Sequence, residues 1–210
     1  MRARIGPFTG IACWLIVFTG FFIHGYPKLG ASPQELVDWA SNTDPNRFGI
    51  GIYAEDIGYA VFLFFLAWLC QTLWRAGGTA WLLALALASG VAWVAVSVVG
   101  NGVWTAVLDS GRRGLDPQTL AGIRDIAQEM YNSTNLVIGT AMVALGLGTL
   151  AAVGVPRWIG WAAIVIGVGA ALPYVGALFA MVLVIWSLAV AIRYLLRPAP
   201  AQATSPPQPS

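Results

Sequence analysis

The nine carboxylates of the chain fall in two windows: Glu35, Asp38, Asp44, Glu55 and Asp56 in the first, Asp109, Asp116, Asp125 and Glu129 in the second. Between and beyond them the sequence is apolar, interrupted by single arginines, in runs long enough to cross hydrocarbon. A water-soluble fold spreads charge over its surface, usually on about 25% of its residues. Here only 10% are charged, 58% are hydrophobic and the mean hydropathy is +0.74. The pattern is that of an all-α integral membrane protein, because a continuous apolar segment in lipid must satisfy its backbone polar groups within itself, as a helix does.

A hydrocarbon core of about 30 Å takes about 20 helical residues. Six segments meet or approach that length, at roughly 7–26, 52–74, 79–108, 134–154, 157–173 and 176–196. The apolar stretch behind Arg2 and Arg4 is read as the first span rather than a cleaved signal, since no small-x-small site follows it. Gly100-Asn101-Gly102 marks a kink or an early end in the third span, because paired glycines weaken a helix. Pro173 begins a tight turn between the fifth and sixth. Residues 1–197 thus read as one transmembrane domain. The Pro-, Gln- and Ser-rich residues 198–210 read as a disordered tail.

With six spans, one side carries Arg2, Arg4, Arg75, Arg157, Arg193 and Arg197 and no acid; the other carries Lys28, Arg47, Arg112, Arg113, Arg124 and every carboxylate. Orientation follows lysine and arginine near span ends. Arg75 and Arg157 sit in short links at such ends, so both termini are expected in the cytoplasm.

The outer loops have structure of their own. Ser32-Pro33-Gln34-Glu35 reads as an N-cap, a proline in the first turn and a capping-box glutamate. Asp116-Pro117-Gln118-Thr119-Leu120 repeats the cap-Pro-Gln pattern. Each starts a short outer helix, the second able to run on into the fourth span. The expected architecture is a six-transmembrane-helix bundle of three outward-opening hairpins with two short outer helices.

Polar chemistry in such a chain has few places to sit. Glu55-Asp56 lies near the outer end of the second span. The pair either rests solvated at headgroup level, favouring a helix N-terminus, or faces a polar pocket. His24, the single histidine, ends the first span, an interfacial position within reach of that pair. Asn101 lies in an apolar span, where an amide seeks a partner on another helix. Arg124 is a counter-ion for its neighbours Asp125 and Glu129, or across for Glu55 and Asp56. One histidine among scattered acids is not metal-ligand spacing, and no cofactor is expected. Cys13 and Cys70 fall in apolar segments and read as buried small hydrophobes. Dispersed single arginines argue against a nucleic-acid partner. No Walker A, Rossmann, HExxH, nucleophile-elbow or CxxC motif is present. Gly6/Gly10 and Ala163/Gly167/Ala171 permit close helix approach, within the chain or in a homodimer.

At Val155-Pro-Arg-Trp-Ile-Gly-Trp161, at Phe62–Arg75 and at Ile185-Trp-Ser-Leu-Ala-Val-Ala-Ile-Arg193, the chain resembles small multi-spanning membrane proteins of actinobacteria whose activities are uncharacterised. The resemblance implies a bacterial inner membrane and transfers no functional residue. Three functions remain open. The first is a non-enzymatic module binding membrane lipids or a membrane-protein partner. The second is a small transporter or channel-like protein with Glu55, Asp56, His24 and Asn101 around an outward vestibule. The third is a lipid-modifying enzyme using Glu55 or Asp56 as acid or base.

Overall fold

The computed structural model of the chain describes residues 5–28, 30–172 and 176–196. Seven helices make up its regular structure: α1 (Ile5–His24), α2 (Pro33–Asn42), α3 (Pro45–Arg75), α4 (Ala80–Arg112), α5 (Pro117–Leu150), α6 (Arg157–Ala170) and α7 (Gly176–Leu196). Four of them, α1, α3, α4 and α5, are long and apolar enough to cross a membrane; α6 and the apolar stretch Met181–Leu196 of α7 are shorter. The turn expected at Pro173, the arginines at 2, 4 and 197 and the C-terminal tail lie outside the described residues.

Helix starts follow the capping chemistry. Ser32 accepts from the Glu35 amide, and Glu35 returns a 2.7 Å bond from the Ser32 amide, completing a capping box before α2. Asp44 caps α3 through the Asn46 amide, and Asp116 caps α5 through the Thr119 amide. α3 therefore begins at Pro45, earlier than the expected position 52. The Asp116 cap does not produce a second separate outer helix, because residues 117–134 continue unbroken into the apolar part of α5. The early end expected as one outcome at Gly100-Asn101-Gly102 is likewise absent, and α4 continues through it as helix. Both glycines have room for a side chain, and Asn101 is held by partners on other elements.

The helices are apolar on both faces. α1 buries Cys13, Trp14 and Val17 while leaving Phe8, Leu15 and Phe22 more than 60% exposed. Helices hydrophobic all round belong to a large core or a membrane, and an apolar exterior of this extent suits lipid. Inside, glycines set the close crossings. A Cβ at Gly139 would meet the Gly167 carbonyl, and one at Gly146 the Gly160 carbonyl, so α5 and α6 pack antiparallel nearly backbone to backbone. The Ala163/Gly167/Ala171 stripe is thereby used within the chain. α7 is tied by Trp14 Nε1 donating to Ser187 Oγ at 2.6 Å and Trp186 Nε1 donating to the Ile159 carbonyl at 3.2 Å. Cys13 and Cys70 are both buried in the core.

Length decides where the site sits. α3, α4 and α5 have 31, 33 and 34 residues, about 46–51 Å at 1.5 Å per residue, against a hydrocarbon core of about 30 Å. Their ends near Arg75, Ala80 and Leu150 lie together, with the Val153 amide donating to the Ala76 carbonyl at 2.7 Å. The surplus of about three to four turns is therefore all at the opposite end. There it forms a cap with its own apolar core, in which α2 buries Leu36 and Ala40 against Phe48, Trp104, Leu108 and Leu120. A larger core from Val17, Phe65, Leu69, Leu83, Leu145, Ile159 and Val190 fills the remainder of the bundle.

Candidate functional site

A polar layer separates the two apolar cores. Along α3 the cap core ends at Ile52 and the main core begins at Tyr59, with Glu55 and Asp56 between; along α4 it runs from Trp104 to Val94, with Asn101 and Ser97 between. Glu55 is twenty residues from the end of α3, and Asn101 is twenty-one from the start of α4. Both are about 30 Å from the arginine-bearing end, one hydrocarbon thickness. The depth expected from sequence is thus close, but the solvation is not. Glu55 is 2% exposed and Asn101 fully buried, because the cap covers them.

Two glycines bring the first pair together. A Cβ on Gly20 would stand 2.5 Å from the Gly51 carbonyl oxygen, and one on Gly51 would stand 2.6 Å from His24 Cβ. α1 and α3 therefore cross at close range, and one turn beyond each glycine stand His24 and Glu55. His24 Nε2 lies 3.1 Å from Glu55 Oε1, with both side chains buried. The imidazole is not interfacial, as its sequence position suggested. It is enclosed by Tyr26, Phe48 and Phe21, ring centroids 4.4, 5.4 and 5.9 Å away. Although close to Glu55, Nε2 is off the hydrogen-bonding axis. Neither ring nitrogen has an aligned hydrogen-bond partner, so the two groups are in contact without a formed hydrogen bond.

Asn101 joins the two carboxylates. Its Nδ2 donates to Asp56 Oδ1 at 2.8 Å and, more weakly, to Glu55 Oε2 at 3.4 Å. Its Oδ1 accepts from the Tyr26 hydroxyl at 3.1 Å, and the same hydroxyl lies 3.3 Å from Glu55 Oε2. Burial, then the nearby Glu55, pushes the Tyr26 phenol well up, so it remains a donor. One proton serves two acceptors here. Beneath this layer, Tyr59 and Tyr131 hydroxyls face each other at 3.4 Å.

The fifth expected residue, Arg124, is elsewhere. It pairs with Asp125 at 2.7 Å and donates to the Ala31 carbonyl. The nearest acid in sequence captured it. Arg124 belongs to a different arrangement, in which three arginines hold the segment over the site by its backbone: Arg47 donates to the Ile23 carbonyl, Arg124 to that of Ala31 and Arg112 to that of Thr43. Glu55 is consequently buried and Asp56 half-buried, with the His24 imidazole against Glu55, while the cap arginines are turned to carbonyls.

Two pockets open at this end. One, of about 310 Å³, is lined by His24, Asn42, Asp44 and Arg47. The other, of about 380 Å³, lies beside α2 and is lined by Tyr26, Lys28, Glu35, Asp38 and Trp39. Each oxygen of Glu55 therefore contacts a residue, His24 or Tyr26, that lines a separate pocket. Tyr26 and Arg47 are the members that sequence reasoning missed. Among the described residues no three His, Cys, Asp or Glu side chains stand together as metal ligands. Comparison with protein-family models, curated proteins and solved structures gives no match for the chain.

Proposed function

We propose that the chain is a six-span protein of the bacterial inner membrane, both termini cytoplasmic, organised as three hairpins with α6 and α7 as the last. On this reading it works as a binding module. The layer of His24, Tyr26, Glu55, Asp56 and Asn101 receives a hydrophilic group, a lipid headgroup or a small polar solute, from the outer side. The observation that supports binding over conduction is where the polarity stops. Immediately inward of the layer, Tyr59, Phe62 and Trp93 pack ring against ring, at 5.3 and 5.4 Å to Trp93, and aliphatic core follows. Buried ionisable groups at membrane depth are costly and mark function by default. A group serving only to hold helices together would be replaced more cheaply by an apolar one.

Extraction into polymer nanodiscs followed by native mass spectrometry tests the reading. A lipid or small solute retained by the wild type and lost in Asn101→Ala is the expected result. The transporter alternative is tested in proteoliposomes. Solute or ion flux above the protein-free background that disappears in Glu55→Gln would overturn the binding reading.

A further inference from the structure

The polar layer has a charge imbalance. Glu55 and Asp56 share one amide donor, Asn101, and lie between two apolar cores. Glu55 is buried and Asp56 half-buried, and a buried carboxylate without a cation is costly. The groups facing them can be named element by element. α1 supplies His24, the following loop Tyr26, α4 the uncharged Asn101, and α3 and α5 the paired, uncharged Tyr59 and Tyr131. Asp44 and Arg47, at the start of α3, line the adjoining pocket, and Arg47 is spent on the Ile23 carbonyl. His24 is the remaining side chain able to supply a positive charge. It is wholly buried, lies 3.1 Å from Glu55 and has no aligned hydrogen bond. A metal ion needs three or four donors, and among the described residues no such set exists. Two facing atoms are enough for a proton.

We propose that His24 and Glu55 form a proton-binding site loaded from the outer face, where the main chain of His24 lines a pocket above its buried imidazole. The proton leaves water in that pocket and adds to the imidazole. The result is an imidazolium against the Glu55 carboxylate, with Asn101 and Tyr26 holding the carboxylate's other oxygen. Releasing it to the same pocket reverses the step. The site is the one discussed under the proposed function, and the two readings fail separately. A permanently neutral histidine leaves ligand retention untouched, and an empty protein leaves the histidine signals untouched.

The single histidine makes the test direct. Histidine labelled with ¹⁵N reports His24 alone in nanodiscs. The expected result is an imidazolium, both nitrogens protonated, at pH 7 in wild type and a neutral tautomer in Glu55→Gln. A neutral His24 in wild type from pH 5 to pH 8, or identical titrations in both proteins, overturns the proposal. Should Glu55→Gln fail to fold, the reciprocal variant decides. In His24→Gln the proton must reside on Glu55, so labelling of Glu55 by a hydrophobic carbodiimide, specific for protonated carboxyls in apolar surroundings, rises severalfold over wild type. Unchanged labelling overturns the site. In right-side-out vesicles with the interior held at pH 8, the histidine signal follows the outer pH; a signal that follows only the inner pH overturns the outward loading.

Discussion

Asn101 is the residue on which the polar layer depends, because it alone touches both carboxylates and the tyrosine. Replacing it by leucine leaves buried acceptors without a donor, and each such loss costs about 1–3 kcal/mol. Asn101→Leu should lower the unfolding temperature in detergent by an amount equivalent to about 2–3 kcal/mol. Removing the carboxylate as well, in Glu55→Leu/Asn101→Leu, should cost less than the two single changes added together, since each single change already breaks the contact the two side chains share. Strict additivity would mean that the two side chains do not interact. At this scale the sequence was legible in part. His24, Glu55, Asp56 and Asn101 stood out because polar groups at the ends and interiors of spans are rare, and the structure brings those four together. What composition and spacing do not contain is the roof. Nothing in residues 53–58 says that α2, Phe48 and Trp104 will exclude water from Glu55. Arg124 took the local of its two expected partners, because one a residue away outcompetes one on another helix.

Helix crossings are governed by the glycines, and these divide into two kinds. Gly20 and Gly51 are occupied on their open side by the opposing backbone, whereas Gly102 has nothing within 4 Å. Gly20→Val should force α1 and α3 apart, destabilise by about 1–3 kcal/mol and separate His24 from Glu55. Gly102→Ala should be neutral or stabilise by about 0.5–1 kcal/mol, the helix-propensity gain. Melting curves of the two variants check both; a stabilising Gly20→Val would sink the close-crossing account. The same contrast explains why α4 does not end early at Gly100-Asn101-Gly102: a glycine pair weakens a helix but does not terminate it. The caps were more readable. Ser32-Pro-Gln-Glu35 and Asp116-Pro are local chemistry, and both start helices where expected. Whether an outer helix stops before the next span depends on packing, which the local pattern does not hold.

α2 also has a pH dependence with a definite sign. Its Ser32 backbone bond holds the Glu35 carboxyl below the ordinary carboxylate range, so the folded helix binds fewer protons than the unfolded segment. The cap's contribution is complete above the unfolded value of about 4.3 and is lost as pH falls through the lower folded one. Hydrogen exchange of the α2 amides, corrected for intrinsic rate, should therefore speed up as pH drops through and below 4. Glu35→Gln should show less protection at neutral pH and no such acid step. An identical acid response in that variant would assign it to another group.

For the whole molecule the open geometric problem is α6. Its 14 residues span about 21 Å, well short of hydrocarbon, yet it lies backbone to backbone against α5 through Gly139/Gly167 and Gly146/Gly160. Two arrangements satisfy that packing. In the six-span arrangement, a thinned bilayer or the flanking chain makes up the missing length, and Leu172 emerges on the outer side. In a four-span arrangement, α6 and α7 form a re-entrant pair entering and leaving on the arginine side. The charges fit both alike, since Arg157 and Arg193 lie at the ends of α6 and α7 away from Leu172, so the position of Leu172 decides. Leu172 is exposed, as are Ser41 in the cap and Val153 at the opposite end. Single cysteines at these positions can be read against the buried native thiols of Cys13 and Cys70. A membrane-impermeant maleimide added to intact cells should modify Ser41→Cys and Leu172→Cys and spare Val153→Cys until the membrane is opened. Protection of Leu172→Cys alongside modification of Ser41→Cys would reduce the spans to four. Modification of Val153→Cys alone would invert the molecule and turn the polar layer, with its histidine, toward the cytoplasm.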